Sequence, residues 1–207
     1  MGPRATGAPV AARQLRMPRQ IIKLKRPHVD FDATGIDPHA WRTVAQQLLD
    51  GAKLLWNPIA EGIQGYARTR GGRTADEQTA FEKQVAYYRP FFTIAGFAIE
   101  NELKALIIHR EAVAGHPPQT AKDALKLFQN GKRTRQHDLV ALAARAGLHQ
   151  LAAGEQTMLE RLTQFVRWAG RYPIPLTAPE TNFARTTREC DLEDLVRFME
   201  KLEREFR

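Results

Sequence analysis

Residues 96–110 read "GFAIENELKALIIHR". Eight of these fifteen positions are apolar by count of Phe, Ala, Ile and Leu, and they recur at three- and four-residue steps, the period of a helix with a buried face. Set around a helix at about 100° per residue with Ala95 at zero, Leu106, Ile99, Leu103 and Ile107 fall between about 20° and 120°. Phe97 and Ile108 fall near about 200–220°. Glu100 and Lys104 lie between these two apolar arcs, near about 140° and 180°, and are four residues apart on one face. Glu102 and His109 lie together near about 320–340°, with Asn101 at about 240°. The wheel therefore predicts an inset pair, Glu100 with Lys104, and a wet side holding Asn101, Glu102 and His109. An open i,i+4 pair contributes only about 0.2–0.5 kcal/mol. A pair set among apolar neighbours is either a staple between helices or part of a site.

The same period governs the chain on either side. Asp37 and Pro38 form a helix start, an N-cap followed by proline at the first helical position. Trp41, Val44, Ala45, Leu48, Ala52, Leu55, Trp56 and Ile59 follow at helical spacing, and Pro58 is expected to kink or break that helix near Asn57. A second helix is predicted over about residues 75–88, with Pro90 as a break or as the first turn of the next. The stretch 118–136 predicts a short helix and a basic turn. "HDLVALAARAGL" predicts a short helix closed by Gly147. Met158, Leu159, Leu162, Phe165, Val166 and Trp168 mark another, ended by Gly170 and Pro173. The last has Asp191 as N-cap and Leu192, Leu195, Val196, Met199, Leu202 and Phe206 as its stripe. No strand alternation of any length occurs. The fold class is all-α, an up-and-down helical bundle, with one domain over 37–207 and a basic, largely irregular tail over 1–36.

The 207 residues carry a formal charge of +8, unevenly distributed. Residues 1–29 hold seven Lys or Arg and no acid, leaving 24 basic against 23 acidic residues for the rest. The high pI therefore describes the tail, which reads as a solvated arm or as a contact for nucleic acid or an acidic partner. No apolar run is long enough to span a bilayer, and no secretory h-region is visible, so a cytoplasmic protein with no membrane partner is expected. A single cysteine, Cys190, excludes an intramolecular disulfide and a cysteine-based zinc site. The histidines show no metal-ligand spacing, and no nucleotide-binding glycine motif occurs; neither a metal nor a cofactor is expected. "RTRGGRT" at 68–74 lacks the Lys-Ser/Thr ending of a P-loop.

"AIENELKALI", then a gap of about 27 residues, then "HDLVALAARAGL" resembles the HEPN helical superfamily, whose members show E-x-x-L-K on one helix and H-D-L-x-x-L on a later one. The resemblance covers roughly residues 85–172. It implies a helical bundle of four or five helices, commonly dimeric. It also implies one of two functions. Some members are metal-independent RNases of toxin and antitoxin or defence systems, using an Arg-polar-x-x-x-His motif. Others bind nucleotides or partner a nucleotidyltransferase. Here the residue five before His137 is Lys132, while Arg133 and Arg135 lie four and two before it, so the usual spacing is not met.

The resulting expectation is a nucleotide- or RNA-binding site gathering Glu100, Lys104, His137, Asp138, Arg167, Arg171 and Tyr172. Arg suits a phosphate bidentately, and Tyr can stack on a base. The alternative is a metal-independent ribonuclease in which His137 works as general acid or base with Arg133 or Arg135. A third reading is a non-catalytic interaction scaffold with a protein partner. Each site residue also has a plainer role: His137 as a cap for the following helix with Asp138 in its first turn, and Arg167 and Arg171 as cations complementing a helix C-terminus.

Overall fold

The structure, a computed structural model, describes residues 30–68, 74–129, 137–169 and 191–207. It is all-α, a bundle of packed helices, and the described residues contain no strand. Helix α1 spans Phe31–Ile36, α2 Pro38–Arg68, α3 Ala75–Val85, α4 Tyr88–Val113, α5 Ala121–Leu127, α6 Leu139–Arg145, α7 Ala153–Gln164 and α8 Asp191–Arg204; α7 runs on into a π-helical turn, Phe165–Ala169. Helix α1 occupies the end of the stretch expected to be irregular, and Asp30 caps it by accepting from Ala33 N–H at 3.1 Å. Residues 1–29 lie outside the described ones.

Most of the ends follow from local chemistry. The Asp37 carboxylate accepts from His39 N–H at 2.9 Å and starts α2 as an N-cap. Thr74 and Glu77 exchange side-chain and backbone bonds at the start of α3, a reciprocal capping box. Gly115 and Gly147 close α4 and α6 with φ of 84° and 80°, a left-handed conformation that glycine adopts without strain. Two expectations are corrected. Pro58 does not break α2, which stays helical through it; the carbonyl that loses its donor belongs to Leu54, a residue 79% exposed, on the side of the helix that water reaches. Asp191 stands inside the first turn of α8 rather than before it, where its carboxylate takes two bonds from Arg161 at 3.0 Å.

Helix α4 is the centre of the bundle and packs against α2, α6, α7 with its π-turn, and α8. Its buried face includes Phe91, Phe92, Ile99, Leu103, Leu106 and Ile108. From α2 it receives Ala45, Leu49, Ala52, Trp56 and Ile59, all buried at three- and four-residue steps. An aromatic cluster joins three elements: Phe91 lies against Trp56 at 5.0 Å between centroids, and Phe92 stacks on Phe165 of the π-turn at 5.0 Å. One turn before Glu100, Gly96 lets α7 approach closely. A Cβ there would overlap Val166 Cγ2 and stand 3.4 Å from the Leu162 carbonyl oxygen.

Candidate functional site

Glu100 is 3% exposed at the middle of α4. Its Oε1 accepts from Lys104 Nζ at 2.6 Å, one helical turn along. Helical spacing alone brings these two together; the neighbouring elements bury them. The Lys104 side chain is only 15% exposed. Its ammonium lies 5.3 Å from the Trp41 ring centroid and 5.4 Å from that of Phe128, within cation–π range of both. These rings meet edge-on at 5.5 Å. Trp41 is fixed in turn by its indole N–H, which donates to the Gly35 carbonyl at 3.1 Å. The Lys104 ammonium is thus enclosed by a carboxylate and two aromatic rings, and acts inward.

His137 reaches the same carboxylate from the turn before α6. Its Nδ1 stands 3.0 Å from Glu100 Oε2 and 3.2 Å from Oε1. Burial pushes the Glu100 carboxyl up, but the hydrogen bond from His137 and then the charge and bond of Lys104 outweigh it, holding the group below its ordinary value of 4.5. At neutral pH Glu100 is therefore ionised and can only accept. That fixes the neutral imidazole in the form with the proton on Nδ1, leaving the Nε2 lone pair open. Among the described residues Nε2 has no bonded partner, and the side chain is 42% exposed. The arrangement is a histidine oriented by a buried carboxylate, with the working nitrogen turned away from it.

The backbone around His137 is held at two more points. Asp138 Oδ1 accepts from Ala141 N–H at 3.0 Å, making Asp138, rather than His137, the cap of α6. The buried Leu139 N–H donates to Thr163 Oγ1 on α7 at 3.0 Å, and that hydroxyl donates onward to the Leu159 carbonyl at 2.8 Å. Glu100, Lys104 and His137 thus converge, while Asp138 is engaged in its own helix start. Arg167 sits half-buried on the π-turn and is not among the partners of Glu100. Arg133, Arg135, Arg171 and Tyr172 lie outside the described residues, as do Cys190 and the side chain of Trp168.

The wet side predicted for α4 needs correction. Glu102 is 4% exposed. Arg42 of α2 donates Nε–H to its Oε1 at 3.1 Å, and the Arg42 guanidinium stacks 4.2 Å from the Phe206 ring. His109 lies against the same ring at 5.2 Å. The turn after α8 therefore covers the face that the wheel left open. Here burial dominates: it pushes the Glu102 carboxyl above 4.5 against the lowering effect of Arg42, and Glu203 adds to the rise.

A second buried ionic group, which the sequence did not single out, ties α7 to α8 and α4. Arg161 bonds both oxygens of Asp191, donates to Tyr88 Oη at 2.7 Å and stacks over Phe92 at 4.2 Å. Its mate across sequence is 30 residues away, so no local spacing announces it. Among the described residues no cluster of three or more His, Cys, Asp or Glu side chains is placed to hold a metal ion. No family model, no curated protein and no solved structure matches this chain.

Proposed function

We propose that this chain is a HEPN-like helical protein that binds a nucleotide or RNA at the surface around His137. The observation that carries the reading is the buried Glu100 carboxylate, which holds His137 by Nδ1 and leaves Nε2 without a bonded partner among the described residues. An imidazole fixed in this way presents one defined nitrogen to a ligand. As imidazolium it donates to a phosphate oxygen; as neutral imidazole it accepts from a ribose hydroxyl. Lys104 keeps the carboxylate ionised and is itself enclosed, so its role in the reading is internal support. The resemblance adds a homodimeric assembly and a protein partner, a nucleotidyltransferase or an antitoxin.

The same observation favours a second reading, a metal-independent ribonuclease. A carboxylate on Nδ1 and an unbonded Nε2 is the arrangement of a general base. Nε2 would take the proton of a ribose 2′-hydroxyl as that oxygen bonds to the adjacent phosphorus. The bond from phosphorus to the 5′ oxygen would break, and that oxygen would take a proton from solvent water, which the His137 imidazolium then restores as it returns to its neutral form. Arg133 or Arg135 would stabilise the pentacovalent phosphate.

One experiment tests both. Single-stranded RNA and a mononucleotide are titrated into the full chain in EDTA, and RNA integrity is followed on a gel. The expected result is saturable binding that weakens at least about tenfold in His137→Ala, the loss of one charge-assisted contact. Cleavage by the wild type that falls about 10²–10⁴-fold in His137→Ala selects the ribonuclease. Equal binding by wild type and His137→Ala, or none by either, overturns the proposal.

A further inference from the structure

Thr163 is a polar side chain at a buried position of α7, 6% exposed, where apolar residues surround it on the same stripe. Its hydroxyl makes two bonds and both are backbone bonds. It donates to Leu159, one turn earlier in its own helix, and accepts from Leu139, the first residue of α6. The Leu139 N–H is one of the donors that a helix start leaves without an intrahelical acceptor. Asp138 satisfies the donor of Ala141, two residues further on, and does not reach this one. Thr163 therefore supplies an acceptor from a neighbouring helix, and the donation to Leu159 orients its lone pairs toward α6.

The position of this bond matters because of what stands on either side of it. Leu139 is two residues after His137, and His137 is bonded to Glu100 on α4. Helix α7 is set against α4 at Gly96, where a Cβ would overlap Val166, and Gly96 lies one turn from Glu100 on the same face. Three contacts thus close a loop: α7 on α4 through Gly96, α6 on α7 through Thr163, and His137 back onto α4 through Glu100. Helix α6 also packs directly on α4, and the bond to Thr163 is the one that fixes the first amide of α6, two residues from His137.

We infer that Thr163 is a positioning residue for His137, setting through the Leu139 amide the placement at which the imidazole meets Glu100. The inference rests on the functional reading for its consequence, but not for its test. Thr163 touches neither ligand nor imidazole; it acts through the backbone two residues away. Valine matches its shape and removes the hydroxyl, whereas serine keeps the hydroxyl.

The test reads the imidazole itself. Nitrogen NMR of the full chain, at a pH where the ring is neutral, reports which nitrogen carries the proton. The wild type is expected in the Nδ1–H form. Thr163→Val is expected to shift the ring toward the Nε2–H form usual for an unanchored histidine, the same direction expected of Glu100→Gln, and Thr163→Ser to keep the wild-type signature. A folded Thr163→Val with the wild-type tautomer overturns the inference. Amide exchange of the wild type gives an independent reading should Thr163→Val not fold. Leu139 N–H is expected to be as protected as the interior amides of α6, and exchange at the rate of an open loop overturns the inference. Neither measurement uses RNA, so a wild type that binds no RNA defeats the functional reading alone. If RNA does bind, Thr163→Val is expected to weaken it about as much as Glu100→Gln, with Thr163→Ser close to wild type.

Discussion

Replacing Glu100 by Gln keeps the size and one acceptor but removes the charge. The bond from the neutral His137 ring, 42% exposed, becomes an ordinary one, while that from Lys104, whose side chain is 15% exposed, keeps its charged donor but loses the ion pair. Hydrogen bonds to charged groups contribute about 1.5–3 kcal/mol, neutral ones about 0.5–1.5. The Lys104 contact loses most, since its ammonium then has no counter-charge beyond the faces of Trp41 and Phe128. The His137 contact loses less, because water reaches that ring. Relief from burying a carboxylate offsets part of the sum. The expected net loss is about 1–3 kcal/mol at neutral pH, measured by urea unfolding. Its pH dependence has a defined sign. The folded-state value of Glu100 is depressed below 4.5, so its contribution is present above 4.5 and is lost as pH falls through the folded value. The gap between wild type and Glu100→Gln should therefore narrow steadily below pH 4.5. A gap under about 0.5 kcal/mol at neutral pH, within the usual range for surface substitutions, or one that stays constant into acid, would refute the account of a buried ionised carboxylate.

Glu102 should behave oppositely. Its folded value is raised above 4.5, so the stability it contributes is complete below 4.5 and declines as pH rises through the folded value; Glu102→Gln is expected to be neutral or stabilising by about 0–1 kcal/mol at neutral pH and to remove that decline in a pH series of unfolding curves. Asp191→Ala leaves the Arg161 guanidinium, 11% exposed on its side chain, without its carboxylate; a loss of about 3–5 kcal/mol is expected by denaturant unfolding. Gly96→Ala forces a methyl into Val166 and the α7 backbone; overpacking of this kind costs about 1–3 kcal/mol, and thermal unfolding together with the His137 tautomer would show whether the helices separate.

The bundle was legible because helical periodicity and end signals are local. Asp37 with Pro38, Gly147, and the apolar stripes of α4 and α7 each announce themselves within a few residues. The inset pair was legible for the same reason: the wheel put Glu100 and Lys104 between two apolar arcs, and Glu100 is buried and Lys104 half-buried. Glu102 was misread because a wheel describes one helix. Its cover comes from Arg42 and Phe206, more than fifty residues away in either direction, and nothing local states which helix covers which arc. Pro58 was over-read: losing one N–H breaks a helix only where the freed carbonyl lacks another partner, and Leu54 faces water. Thr163 was passed over, since one threonine on an apolar stripe carries no signal until the helix that needs its hydroxyl is in place.

Helix α8 is attached almost wholly by partners distant in sequence. Asp191 meets Arg161 across 30 residues, Lys201 meets Glu155 across 46, and Glu205 meets Arg110 across 95. Its buried Leu195, Phe198, Met199 and Leu202 complete a surface that the other helices form among themselves. Closing chain segments of such length has an entropic cost that is recovered only once the surface to be covered exists. The docking of α8 is therefore expected to be a late event on the way to the native state. Its contacts are then expected to set how slowly the assembled protein comes apart rather than how fast it assembles, so Asp191→Ala should raise the unfolding rate and leave the refolding rate nearly unchanged.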